Sequence, residues 1–478
     1  MPKFAFAIAH RHRQKGFSII YTALVLFIFS LVLLAVLQFA ISELKLVRLS
    51  TNREQAFQIA EAGANYYQWH LAHFPTDFWD GNASTTPGPY VHDYVDKDTN
   101  QVIGRFALTI TPPPVGSTIV TVQSVGYTLA EPNHTRTVTV RYGIASLAQY
   151  AFLTNTDLWI GPNESVSGQI LSNGGIRFDG TGNAPIQSAR QTYNCPAWSG
   201  APCPTVEPGV WGSAPASTQA FWQFPVSNFS FSSITANLAN LKSLAQTDGT
   251  PAYLSPSNKQ GYILNFNANG TVNIYLVKKL LNPPAQAWDV NGTPINKSID
   301  YNSTQLQLLY SNAAIPAHGV FYVEDNVWVY GTVKGRVQVV AAKLPYSAST
   351  APHIFIPDNI VYAAKDNTNV LGLLSQQDIV VTYNAPTNLE IDAAMVAQNG
   401  SIEVYDYPNY TNVKNSITVF GSMASYGPWT WTYVDSGGNV VSGYANTYTN
   451  YDSNLLYSPP PSFPQSVTGY QVLSWSSN

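Results

Sequence analysis

Charge is what this sequence has least of. Lys and Arg number 23 and Asp and Glu 27 in 478 residues, so charged side chains make up 10% of the chain, against about 25% in typical soluble domains. Nowhere do basic residues gather into a patch that would follow a phosphate backbone, which argues against strong nonspecific nucleic-acid binding. Cysteine is nearly absent as well. The two present, Cys195 and Cys203, cannot build a disulfide-dense scaffold, and no His or further Cys lies near them to complete a zinc site. No nucleophile elbow, phosphate-binding glycine loop or zinc-ligand spacing occurs.

Apolar and aromatic residues are plentiful. Hydrophobic residues make up 45% and aromatics 13%, with 29 Tyr and 11 Trp, and the net charge is −4. That is ample for a packed core and excludes wholesale disorder. A surface that is polar but almost uncharged suits an extracytoplasmic, β-rich protein. The length suggests roughly two to four domains, although all-β solenoids run long as single units. Cys195 and Cys203, eight apart in Cys195-Pro-Ala-Trp-Ser-Gly-Ala-Pro-Cys203, are expected to form a disulfide that pins a proline-rich loop.

The stretch that organises the rest runs from Lys15 to Leu71. From Phe17 to Ile41 no residue carries a formal charge. A helix over that run, at about 1.5 Å per residue, spans roughly 37 Å and exceeds a hydrocarbon core of about 30 Å. The helical pattern continues through Glu43-Leu44-Lys45-Leu46 to Gln55-Ala56-Phe57-Gln58-Ile59-Ala60-Glu61-Ala62-Gly63. Residues 1–16 carry Lys3, Arg11, Arg13 and Lys15 and no acid, which places the N-terminus on the cytoplasmic side. The layout is not a secretory signal peptide, because the small residue of a cleavage-like site, Gly16, precedes the apolar run.

Lys15-Gly16-Phe17-Ser18-Ile19-Ile20 and the helix after it resemble the class III leader and N-terminal helix of type IV pilins and pseudopilins. The stretch around Glu61-Ala62-Gly63 is similar to that of PilX-like minor pilins. The resemblance implies that a prepilin peptidase cuts after Gly16 and that Phe17 becomes a methylated N-terminus. It also implies that the helix first sits in the inner membrane and then packs against other pilin subunits. Most of that family has glutamate five residues past the cut, where this chain has Tyr21. That departure speaks against a major pilin and for a low-copy or tip-located subunit.

Downstream, Gly104 to Thr111, Ser117 to Thr128 and Thr135 to Tyr142 alternate like strands of a small antiparallel meander. From residue 151 the texture changes to short apolar runs after Asp, Asn or Gly, as in Thr156-Asp157-Leu158-Trp159-Ile160, Asp325-Asn326-Val327-Trp328-Val329 and Gln377-Asp378-Ile379-Val380-Val381. This degenerate repeat predicts a stacked parallel solenoid, with Asp and Asn placed at corners for their tolerance of left-handed geometry. A β-sandwich is the competing reading and needs more hairpin signals than the chain shows.

The expected fold class is therefore mainly β: a long N-terminal α-helix with a small antiparallel pilin-like sheet, then a parallel β-helix with an α+β insertion. The divisions are leader 1–16, helix 17–72, meander 73–149, and solenoid 150–180 and 319–427. An insertion at 181–318 carries the disulfide loop, a helix over Ser232–Leu244 and a hairpin turning at Asn269-Gly270. An aromatic, proline-rich cap at 428–478 ends in Pro459-Pro460-Pro461, expected to lie as a strap over a solenoid end.

For catalysis the candidate acids are Asp325, Asp358, Asp378, Asp392 and Glu403, with Lys334, Arg336 and Lys365 as bases. The first three acids occupy the repeat's turn slot, where a corner explains them. Asp96-Lys97-Asp98-Thr99-Asn100 mimics the start of a calcium loop without its glycine and closing glutamate, and reads as a turn. Trp429, Trp431, Tyr433, Tyr444, Tyr448 and Tyr451 are the stronger functional hint. Exposed, they would stack on a surface glycan or anchor a protein ligand; buried, they cap the solenoid. The expected function is a non-enzymatic minor pilin or pseudopilin that uses no cofactor and exposes its β-helix for adhesion, aggregation or filament initiation. The alternatives are a membrane-anchored carbohydrate-active enzyme and a surface adhesin outside any filament.

Overall fold

The computed structural model describes residues 17–84, 86, 88–114, 117–196, 206–282, 286–408, 413–466 and 469–478; side chains of 17, 18 and 232–237 are not described. Gly16 and Cys203 therefore lie outside the described residues. The chain divides into two compact units: residues 1–110, 122–140 and 474–478 form the first, and 111–121 with 141–473 the second.

The first unit is built on one helix, α1, Phe17–His73. Its N-terminal part is apolar on every side and solvent-facing in the isolated chain, as at Leu24, Phe27, Leu31 and Leu34. Its C-terminal part carries Ala56, Ile59, Ala60, Ala64, Tyr67 and Leu71 at three- and four-residue spacing, and all six are buried. They meet Phe106, Leu108, Val122 and Val138 from a five-stranded antiparallel sheet ordered Tyr90–Val95, Val102–Thr111, Val120–Thr128, Arg136–Gly143 and Gln471–Ser477. The approach is close. A Cβ on Gly126 would lie 2.3 Å from the Ala56 carbonyl oxygen, and one on Gly63 2.3 Å from Ser124 Oγ. Asp77 shapes the turn after the helix, accepting from the Trp79 and Gly81 amides while pairing with His70.

The second unit is a solenoid of parallel strands. One column of strands runs Tyr253–Leu254, Val320–Val323, Arg336–Ala341, Val370–Ser375, Asn388–Ala397, Lys414–Ser425, Phe152–Thr154, Ile170–Ser172, Ile186–Ser188 and Trp222–Gln223. Every neighbour pairs in parallel, yet the order is permuted. The chain enters at Phe152, climbs to Trp222, returns, re-enters at Tyr253 and climbs again until Lys414–Ser425 pairs with Phe152–Thr154. The return runs along the stack. Val226 N bonds Ser188 O, Phe229 N bonds Asn173 Oδ1, and helix α2 (Ser232–Asp248) buries Leu238, Leu241 and Ala245 before Asp248 receives the His318 amide.

Four expectations need correction. The expected helix and hairpin are present within 181–318, but the coil pattern does not lapse throughout it. Ile186–Ser188 and Gly261–Asn267 are parallel members of the stack, while 278–282 and 286–305 lie outside it and cover Ile263, Trp328, Phe355 and Val380. The segment 428–478 is not simply a cap: Val440–Tyr451 is a coil strand, and Gln471–Ser477 joins the first unit's sheet. The triple proline does not cover a solenoid end. It lies along the flank of the middle coils, where Gly372 and Gly319 leave room beside Pro460 and Pro461 and the Arg336 guanidinium donates to the Ser458 and Pro459 carbonyls. An antiparallel group, Gly261–Asn267, Thr271–Val277 and Leu306–Ala314, occupies the Tyr253 end instead.

The fourth correction concerns the corners. Asp157, Asn326, Asp358, Asp378 and Asn399 do not have positive φ. Most of them serve as acceptors for the next coil. Asp157 Oδ1 accepts from Gly175 N at 2.7 Å, Asn326 Oδ1 from His353 N at 2.9 Å and Asp378 Oδ1 from Ser401 N at 2.8 Å. Corner amides have no strand partner, so these side chains satisfy donors that burial would otherwise orphan. Asp378→Ala should therefore destabilise the solenoid by about 1–3 kcal/mol, the cost of one unmade buried hydrogen bond, with Asp378→Asn retaining most of the stability in urea unfolding.

Candidate functional site

The candidate catalytic residues do not gather at one place, although Asp392 and Lys365 are paired. Asp325 accepts from the Ser257 amide and hydroxyl, Asp358 caps the Asn359 amide, and Asp378 caps Ser401. Asp392 is fully buried and bonds the Tyr362 amide, with Lys365 Nζ 2.9 Å from it and also 2.9 Å from Glu390. Glu403 is buried and accepts from Val290 N at 2.6 Å. Arg336 holds the proline strap, and Lys334 is exposed at a corner. Asp96 turns inward onto the amides of Asp98 and Thr99, so its stretch is a strand-connecting turn. Cys195 is disulfide-bonded.

The aromatic set also divides. Trp431 and Tyr444 are 1% and 0% exposed and belong to the core, which removes them from any partner surface. Tyr444 donates to the Pro386 carbonyl and Tyr433 to that of Val404. Tyr448 is exposed, and Tyr451 is half-buried. Trp429 and Tyr433 line a cavity of about 690 Å³.

This cavity opens at the seam between the two climbs of the chain. Where Lys414–Ser425 carries Phe152–Thr154, the columns continue, and Val440–Tyr451 likewise carries Glu164–Ser167. On the third side the pairing stops. Trp429–Thr430 pairs with Ile402–Val404 on one edge, Leu158–Ile160 pairs with Ile176–Phe178 on the other, and the two fall in separate sheets. The outward side chains of this side form a ladder in register: Ile263, Trp328, Phe355, Val380, Glu403 and Thr430, then, beyond the gap, Trp159, Arg177 and Trp211. Residues 278–282 and 286–305 cover the apolar part, and Val290 and Asn291 reach the cavity. Beyond the gap, Trp159, Arg177 and Trp211 are part-buried.

The far wall is rigid. The Arg177 guanidinium lies between the rings of Trp159 and Trp211, at 5.4 and 5.2 Å. Asp179 accepts from Arg177 Nε at 2.7 Å, Trp159 Nε1 at 2.9 Å, and the amide and hydroxyl of Ser213 at 2.8 Å each. Burial alone would raise the Asp179 carboxyl, but these donors hold it below the ordinary range. Glu164, which lines the same cavity, accepts from Gly161 N at 3.0 Å. Burial pushes its carboxyl up to about 8, so it is protonated at neutral pH. Among the described residues that line it, Arg177 is the one arginine or lysine, and it is already paired with Asp179.

The raised Glu164 carboxyl has a stability consequence. Its folded-state affinity for the proton exceeds the unfolded one, so its contribution is complete at acid pH and is lost as pH rises through about 8. Glu403 is shifted in the same direction by burial and then by the charge of Asp378. Between pH 5.5 and pH 9.5 the fall in Tm should be smaller in Glu164→Gln than in the parent, by at least about 2 °C; scanning calorimetry across pH checks it.

No protein-family model matches this chain, and no curated protein matches it. Among solved structures, the chain is similar to the competence-associated pilin ComZ from Thermus thermophilus, at 13% identity and a TM-score of 0.29, with 90% of this chain and 98% of that one covered.

Proposed function

We propose that this chain is a minor pilin- or pseudopilin-like subunit without enzymatic activity. It is anchored by α1 in the inner membrane before assembly, then packed by the same helix against other subunits, and carries the solenoid outward as an interaction module. The observation that supports this reading is the division of labour along α1. One 18-residue window has a mean hydropathy of 2.9 and no part of it is buried within the chain, while the same unbroken helix lines its own sheet from Ala56 to Leu71. A greasy rod left exposed among the described residues needs lipid or sister rods around it. Cleavage after Gly16 by a prepilin peptidase would leave Phe17 as the first residue. Tyr21, in place of the family's glutamate, favours a low-copy or tip position. Asp325, Asp358 and Asp378 are engaged at corners and Arg336 at the strap, which favours binding over turnover.

Two measurements test the proposal. Mass spectrometry of the membrane-extracted protein is expected to find an N-methylated Phe17 terminus, and Gly16→Glu should retain the Met1 form. Immunogold labelling of sheared filaments is expected to mark few sites per filament. An intact Met1 terminus in cells with active prepilin peptidase, or label confined to the cell envelope, overturns it.

A further inference from the structure

We propose that the seam cavity binds a neutral oligosaccharide, with Trp159 as the stacking platform. The inference rests on reading the solenoid as the outward interaction module, but not on assembly into a filament.

Three observations carry it. The first is the ladder. Wherever its outward side chains are apolar, from Ile263 to Val380, the chain covers them with its own residues 278–282 and 286–305. The cover reaches the cavity at Asn291, where the ladder turns into Thr430 on one side of the gap and Trp159 on the other. The Trp159 indole packs on Arg177 and lines the cavity. Its Nε1 is held by Asp179. A ring fixed at both edge and face loses no rotamer freedom when a ligand arrives, which is the condition for an efficient platform. The apolar CH face of a sugar ring matches such an indole.

The second observation is the polar equipment. Trp429 lines the cavity with its ring packed on Phe152 and Trp431, and its buried Nε1 has no hydrogen-bond partner among the described residues. Glu164, protonated, offers both a donor and an acceptor, and Asn163, Asn291 and Thr430 add uncharged groups around it. Hydroxyls donate and accept together, so a polyol can satisfy this set where a purely apolar ligand would leave it unmet.

The third is charge. A nucleotide or an acidic glycan needs a free cation, and Arg177 is committed to Asp179 between two indoles. The volume, about 690 Å³, falls within the roughly 300–1,000 Å³ of small-ligand sites.

The test uses the full chain in a sugar-free zwitterionic detergent. Cellotetraose, maltotetraose, chitotetraose and mannotetraose are titrated by calorimetry, with tetragalacturonate as the charged probe and a hydrophobic decapeptide as the apolar one. Saturable binding of at least one neutral tetrasaccharide is expected. Trp159→Ala should weaken it at least tenfold, and Trp429→Phe, which keeps the ring but removes the unpartnered donor, at least threefold. Tyr448→Ala, exposed on another side of the coil, should leave it unchanged, and circular dichroism with Tm confirms that each variant is folded. The proposal is overturned if none of the four binds, if the decapeptide or tetragalacturonate binds more tightly than all of them, or if a folded Trp159→Ala binds as the parent does. Because the purified chain is used, these outcomes are independent of whether filaments are labelled.

Discussion

A parallel strand stack has two open edges at every level, and each must be met by another strand or by something that blocks it. In this protein the lower edge of the first coil, Phe152–Thr154, is met by a strand from the far end of the chain, Lys414–Ser425. Much of the second unit's architecture follows from that arrangement. The return segment with α2 has to carry the chain back to the opposite end, so that the second climb finishes beneath the first. The coil at the junction is shared, with Val440–Tyr451 forming one side and Phe152–Thr154 another. The third side is where the two contributions fail to pair, and the seam cavity is the result.

Much of the fold was legible in the sequence. Twenty-five uncharged residues and a three- and four-residue spacing of small and apolar side chains specify α1 and its packed face directly, and α2 shows its buried stripe at Leu238, Leu241 and Ala245. The coil strands were readable as apolar–x–apolar after an Asx corner, because each is too short to carry any other pattern. What could not be read was the order of stacking. Parallel pairing between coils has no turn to mark its register, and nothing local distinguishes Phe152 following Met423 in space from Phe152 opening an independent stack. The strand Gln471–Ser477 was hidden for the same reason: its partner lies more than three hundred residues earlier.

The site was legible only in part. The aromatic density around Trp429 and Tyr433 was visible, but the alternation that sends Trp431 and Tyr444 inward depends on which face the core takes. Trp159, Arg177 and Trp211 do not read as one site in the sequence, because each stands alone in its own short run, and only the register of three successive coils makes a ladder of them. Asx corners were found for a mistaken reason. They accept the next coil's amide and do not adopt left-handed backbone, so the short polar side chain matters more than the backbone freedom.

The seam also sets the order in which the molecule is completed. Thr154 donates its hydroxyl to the Gly427 carbonyl across 273 positions of chain. As the polypeptide emerges N-terminus first, the early coils must wait, one edge unmatched, until the last aromatic strands arrive. Such long-range closure is slow compared with local pairing. Nascent chains interrupted before Tyr451 would present raw strand borders to their neighbours, so the arrival of the tail decides whether the stack is closed.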